Sequence, residues 1–238
     1  MITLRKKGSR LTTKKEAATL KHLIHDALFS DIISGQYPPD YVFTEKFLME
    51  KYQVSRAPIR EALTALVSQQ VLQSVPRQGY KIILPDDTTL MDVTRTRAVL
   101  EPSFLLKYGR QIRPEQLEPL RAICRKYDAL GSDQTVERWQ VNCEFHTSLL
   151  DLCGNRFASQ VLERALNIQT IFFMIKSKDE YYVDDLHTVV LDYLERGNLE
   201  MAARLLRTDI DMLSDGFHSR IWDPGNTAAD LGKELGNV

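Results

Sequence analysis

The sequence predicts a mostly α-helical protein in two unlike parts, and three observations carry that expectation. The stretch Val54-Ser55-Arg56-Ala57-Pro58-Ile59-Arg60-Glu61-Ala62-Leu63 has a basic first turn and an apolar opposite face at helical spacing. Residues 71–84 switch to two short β-runs around a glycine-containing turn. From Thr88 onward, helical apolar spacing is broken only by short turns. Together they predict an N-terminal winged helix-turn-helix over residues 1–84 and a C-terminal antiparallel all-α helical bundle over residues 88–222.

The elements follow in order. Leu20, Leu23, Ile24, Ala27, Leu28 and Ile32 mark a first helix that stops at Gly35. Thr44 caps a short second helix with Phe47, Leu48 and Tyr52 as its apolar stripe, and Gln53-Val54-Ser55 is the tight turn to the third. In that third helix Ser55 is the expected N-cap and Pro58 lies in the first turn, where a missing N–H is tolerated. Ile59, Ala62, Leu63 and Leu66 should bury one face, so that Arg56 and Arg60, four apart, project from the exposed N-terminal turns, the part of a recognition helix that enters a major groove. Val71–Val75, Pro76–Gly79 and Tyr80–Leu84 then form a hairpin, the expected wing.

Pro85-Asp86-Asp87-Thr88 breaks the pattern, and six helices are expected beyond it: Thr88–Gly109, Pro114–Leu130, Gln134–Cys153, Arg156–Ser177, Tyr181–Arg196 and Leu199–Arg220, with a loose tail after Asp223. No apolar run is long enough to span a bilayer, and the Lys/Arg-rich start lacks the apolar core of a secretory signal. A cytoplasmic protein, nucleoid-associated when on DNA, is the expectation. Cys124, Cys143 and Cys153 are an odd count without metal-type spacing, which argues against a disulfide framework or zinc ribbon.

The formal net charge of −1 hides a polarised chain: residues 1–85 hold 13 Lys or Arg against 7 Asp or Glu, and the remainder 18 against 25. A positive end suits phosphate contact, and a negative end keeps the bundle off DNA. Arg5, Lys6, Lys7, Arg10, Lys14 and Lys15 supply much of the excess, as a disordered basic arm over residues 1–16 without sequence-reading specificity.

Polar residues also interrupt the apolar stripes of the bundle. Asn142 and His146 fall four apart among Trp139, Cys143, Leu149 and Leu150; His187 falls among Val183, Leu186, Val190 and Leu194; Asp209 falls among Ala202, Leu205, Leu206 and Leu213. A carboxylate on a buried stripe demands a cation, a metal or strong donors. Arg97, among Leu90, Val93, Leu100 and Phe104, could pair with Glu101 one turn on or hold an incoming anion.

Residues 20–84, with the Gly35 to Pro39 approach, the Val-Ser-Arg-x-Pro-Ile-Arg-Glu-Ala-Leu core and the Arg-Gln-Gly-Tyr wing, resemble the winged helix-turn-helix of the GntR family of bacterial transcription regulators. The resemblance implies DNA contacts from Thr44, Lys46, Ser55, Arg56, Arg60, Gln78 and Gly79, the last two in the minor groove. Lys46 stands where the family more often has Arg, and a lysine cannot form the bidentate fork. Arg97-x-x-Leu100-Glu101, Asn142-x-x-Phe145-His146 with Asn155, His187, and Gly197-Asn198 leading to Asp209 resemble the FCD ligand-binding domain of the FadR subfamily. That implies a metal site at Asn142, His146, His187 and Asp209 and an effector contact at Arg97.

The family's metal ligands are an aspartate and three histidines, so Asn142 and Asp209 depart from the pattern while the site keeps one carboxylate and two imidazoles. A zinc, nickel or manganese ion held by His146, His187 and Asp209 would pair with Arg97 to clamp a small organic acid. The expected protein is a homodimeric regulator, a repressor by the commoner family behaviour, on a palindromic double-stranded DNA operator, with no membrane partner and no enzymatic activity. Two other readings of the same residues are a metal-free, effector-independent dimeric DNA-binding protein with a His–Asp polar core, and a metallohydrolase using His146, His187 and Asp209, which lacks a positioned general base.

Overall fold

The computed structural model describes residues 14–176 and 186–221, with side chains over residues 20–175 and 186–213. The expected arm residues Arg5, Lys6, Lys7 and Arg10, the positions Ser177, Tyr181 and Val183, and the tail after Asp223 lie outside the described residues.

The N-terminal unit is a winged helix-turn-helix: α1 (Lys14–Ile33), β1 (Val42–Phe43), α2 (Glu45–Tyr52), α3 (Arg56–Ser68), β2 (Leu72–Val75) and β3 (Gly79–Ile82). Helix α1 begins six residues before Leu20, so Lys14 and Lys15 belong to it rather than to an arm. Ile24, Leu28 and Ile32, one face at a spacing of four, enter the core with Phe43, Leu48, Ile59, Leu63 and Leu66, whereas Leu23, one residue off that face, is 48% exposed.

Thr44 caps α2 as expected, its Oγ1 accepting from the Phe47 N–H at 3.2 Å. Ser55 stands at the N-cap of α3 with extended backbone but makes no capping hydrogen bond. The reason is Pro58: it occupies the third helical position, whose N–H an N-cap hydroxyl would accept, and proline has none.

The wing is β2 and β3, paired antiparallel from Leu72↔Ile82 to Val75↔Gly79, and β1 joins the far side of β3 at Val42↔Lys81 and Phe43↔Tyr80. Strand β1 was not expected; two residues are too few for a period-2 pattern. Its approach explains Gly79, which has φ +135° and where a Cβ would lie 2.2 Å from the Phe43 carbonyl oxygen.

The bundle comprises α4 (Asp87–Tyr108), α5 (Glu118–Asp128), α6 (Thr135–Leu152), α7 (Arg156–Ile171), α8 (His187–Glu195) and α9 (Leu199–Ile221). The single helix expected over Pro114–Leu130 is split into a 3₁₀ turn at Pro114–Gln116 and α5. Pro119 in the first turn of α5 cannot donate to the carbonyl four residues back, so α-geometry cannot run through it. Helix α7 relaxes into a π-turn over Phe172–Lys176 rather than continuing as α.

That turn joins the two units. Ile171 is fully buried in the core of the winged unit, and Phe172 and Phe173 pack with Ile33 of α1 and Trp139 of α6. No helix among the described residues is long and apolar enough to cross a membrane.

Candidate functional site

Two groups of charged residues stand out, one on the surface and one buried. On the winged unit, burial of Ile59, Ala62, Leu63 and Leu66 turns the opposite face of α3 outward, and Arg56 and Arg60 are each 61% exposed there. Glu45, the first residue of α2, meets both: its Oε2 is 3.2 Å from Arg56 Nε and its Oε1 2.6 Å from Arg60 Nε. Lys46 is 86% exposed and reaches Glu50 only at 4.0 Å. Gln78 is exposed at the hairpin turn, after Arg77 with φ 62°. The structure thus brings Arg56 and Arg60 together through Glu45, a residue the sequence reading passed over.

Inside the bundle, five helices contribute to one buried polar cluster. Arg97 on α4 is fully buried and donates from Nε to Glu101 Oε1 at 2.7 Å and from Nη1 to Gln169 Oε1 on α7 at 2.6 Å. Gln169 in turn donates to Thr94 Oγ1 at 2.9 Å. The second oxygen of Glu101 accepts from His146 Nδ1 on α6 at 2.7 Å. Asp209 on α9 accepts from the Leu186 N–H at 2.9 Å through Oδ1, while its Oδ2 faces His146 Nε2 at 3.1 Å and His187 Nε2 of α8 at 3.5 Å. The ring of His187 stacks on Phe145, with centroids 3.8 Å apart and planes at 13°.

Asp209 finds the partners its burial demands in two imidazoles and a backbone N–H, and Arg97 pairs with Glu101, one of the two roles expected for it. The electrostatics are those of a compensated cluster. Burial opposes ionisation of Glu101, but Arg97 and His146 outweigh it and hold its pKa below the ordinary value. Burial likewise opposes a charged His146, but Glu101 and Asp209 push its pKa up; burial works against Asp209, and His187 and His146 still hold it far below the carboxylate range.

With its Nδ1–H given to Glu101, a neutral His146 presents a lone pair at Nε2. That lone pair would meet Asp209 Oδ2 at 3.1 Å, off the alignment of a hydrogen bond. Two acceptors are held so close only if positive charge lies on or between them: a second proton on His146, or a cation. Among the described residues, ligand atoms of His146, His187 and Asp209 lie within 4.8 Å of one another, and all three residues are buried. Asn142, one turn before His146, is buried with neither side-chain atom hydrogen-bonded, and Arg97 Nη2 also has no partner. Orphaned buried polar atoms call for water, an ion or a ligand, and two imidazoles with a carboxylate form a donor set suited to a divalent ion. Were an ion held there, Glu101 would be the carboxylate that orients a ligating histidine. The sequence indicated Glu101 only as a partner of Arg97; its link to His146 spans 45 positions and has no local signature.

Two known families match separate stretches of the chain. The gntR family of bacterial regulatory proteins matches residues 20–82, and the FCD domain matches residues 92–212. The HTH-type transcriptional repressor GlaR of Escherichia coli (strain K12) is 25% identical over 146 residues, 59% of this chain and 66% of that protein. The Nta operon transcriptional regulator of Aminobacter aminovorans is 28% identical over 123 residues, 52% of this chain and 59% of that protein. The chain therefore spans less than two thirds of the length of either relative. Among solved structures, E. coli McbR/YncC superposes with a TM-score of 0.70 at 18% identity, over 84% of this chain and 98% of that one, which shows a shared fold.

Proposed function

This chain belongs to the GntR family of bacterial regulatory proteins and carries an FCD domain, and from that premise we propose that it is a sequence-specific DNA-binding transcription regulator whose operator affinity is set by a small carboxylate in the bundle. The family and the relatives above are transcriptional regulators, not enzymes, so the hydrolase reading is set aside. GlaR is described as a repressor, and we extend that mode to this chain. The observation that carries the DNA reading is the exposed Arg56–Arg60 pair on the N-terminal turns of α3, on the side opposite its buried face. We assign residues 1–84 to DNA binding and 88–222 to effector binding and dimerisation, in a cytoplasmic homodimer on a palindromic operator. Lys46, Thr44, Ser55, Gln78 and Gly79 supply supporting contacts, Lys46 as a phosphate charge.

Charge balance supports the effector class. With neutral imidazoles, Arg97, Glu101 and Asp209 leave the buried cluster with one net negative charge. A divalent ion, held by His146, His187 and Asp209 with Asn142 beside them, would supply a Lewis-acidic position and turn that balance to one net positive charge. A monoanionic carboxylate restores neutrality, and the unpartnered Nη2 of Arg97 offers it a donor. The route to the reader is short: α7 carries Gln169, bonded to Arg97, and also Glu163, which accepts at 2.8 Å from Gln69 at the C-terminal end of α3. Gln69 accepts from His25 of α1 at 2.6 Å. A ligand that favours one setting of α7 would bias the reader units.

The metal-free reading has its own support, the raised pKa of His146 between Glu101 and Asp209, which is that of an imidazolium bridging two carboxylates. One experiment separates them. Duplexes are selected from a random pool by the full chain, and their affinity is measured with added divalent metal and after chelation. We expect enrichment of a palindrome, with an affinity that responds to metal in the wild type and not in His187→Ala. Enrichment without any metal response, in a protein free of metal, would leave the DNA-binding reading and overturn the metal-linked one.

A further inference from the structure

A carboxylate stands on the face assigned to DNA, where each phosphate repels it. Glu45 is 21% exposed, less than either arginine it holds, and it opens α2 directly after the cap residue Thr44. Each of its oxygens engages one arginine, Arg56 at 3.2 Å and Arg60 at 2.6 Å, and both contacts are made through Nε. The hydrogen bond to Glu45 is donated by Arg60 Nε, not by the terminal Nη1 and Nη2 groups, the prongs that fork onto guanine O6 and N7. The hydrogen bond that Arg60 donates to Glu45 also pushes the pKa of its guanidinium up.

We propose that Glu45 is a specificity-determining positioning residue that fixes the two guanidiniums for base reading and penalises their use as generic phosphate anchors. The proposal rests on the DNA-binding reading above. Arginine side chains free to swing would settle on phosphates of any sequence, since that attraction is indifferent to bases. Tied to one carboxylate on a neighbouring helix, Arg56 and Arg60 keep a set spacing and direction. To reach phosphates they must leave Glu45, and the carboxylate left behind then faces the polyanion unpaired. At a matched site the guanidiniums keep Glu45 and add the bases. The carboxylate therefore raises affinity for the matched site, by holding both guanidiniums in place, and lowers it for the wrong DNA.

The test uses the full chain, a duplex selected by the wild type from a random pool, and a scrambled duplex of the same length. For Glu45→Gln we expect affinity for the selected duplex to fall about tenfold, affinity for the scrambled duplex to rise a few-fold, and the salt slope on the scrambled duplex to steepen by about one. A purely structural role, as an acidic residue favouring the start of α2, predicts instead a lowered thermal midpoint and parallel losses on both duplexes, with the ratio unchanged. That result would overturn the proposal. In an Arg60→Lys background, which keeps the charge but loses the fork, Glu45→Gln should reduce the ratio much less; an undiminished second loss would show that Glu45 does not act through the guanidinium. A wild type that enriches no duplex overturns the reading beneath the proposal, and is thereby distinct from its own failure.

Discussion

At the tip of the winged unit Arg56 and Arg60 are each 61% exposed around one carboxylate, whereas in the bundle Arg97, Glu101, His146, His187 and Asp209 are each at most 2% exposed and lean on one another. Water screens the first group, so it can be taken apart one residue at a time with little effect on folding. The second has no solvent to replace a lost partner, and removing one member strands the others. The difference teaches where function and stability separate: exposed charges are free to serve a partner without serving the fold, while the buried cluster must serve the fold whatever else it binds.

The largest effect expected from that contrast is on stability. Glu101→Leu leaves Arg97 and His146 without their shared acceptor and should destabilise the chain by about 3–5 kcal/mol, read as a lower midpoint in thermal or denaturant unfolding. Arg97→Met combined with Glu101→Leu should recover part of that loss. A double variant as damaged as the sum of the single ones would mean that the pair is not the unit described.

Next comes DNA affinity. Arg56→Ala or Arg60→Ala should cost at least about a hundredfold on the selected duplex with an unchanged unfolding midpoint, and Lys46→Ala less, with a salt slope smaller by about one. Normal affinity in Arg56→Ala would sink the assignment of α3 as the reader.

Smaller still is the joint between the units. Gln69→Ala removes the hydrogen bonds to His25 and Glu163. We expect about 0.5–1.5 kcal/mol of lost stability per bond and a weaker response of DNA affinity to metal, with affinity in the absence of metal largely kept. A full metal response in this variant would remove the joint from the coupling route.

The smallest concerns the thiols. Burial pushes Cys143 up to about 12 and Cys153 to about 11. At pH 8 the thiolate of Cys143 is then only about one part in ten thousand, and alkylation of the folded chain should be far slower than in denaturant. Fast labelling of Cys143 in the folded protein would contradict its described surroundings.

The winged unit was legible because its signals are local. Apolar spacing gave α1 and α3, Thr44 gave the start of α2, and the basic pair at 56 and 60 gave the exposed face. What escaped there was non-local: β1, visible only once β3 is beside it, and the failed cap at Ser55, which depends on Pro58 lacking an N–H at the one position that matters. In the bundle, period alone marked Arg97, Asn142, His146, His187 and Asp209 as inward, and all five are buried. Their partners were not readable, because Glu101–His146 and Arg97–Gln169 join helices 45 and 72 residues apart in sequence. Pattern shows that a polar group is inside; only packing shows what meets it.

The central claim is that the buried cluster is a metal-linked sensing site rather than a closed polar core. The most direct measurement is elemental analysis of the full chain, purified without chelator or a metal-binding tag, beside His187→Ala. The account expects close to one equivalent of zinc, nickel or manganese per chain in the wild type and its loss in the variant. A wild type without metal, which also takes up none on dialysis against these ions, would contradict it and leave His146 as an imidazolium held between Glu101 and Asp209.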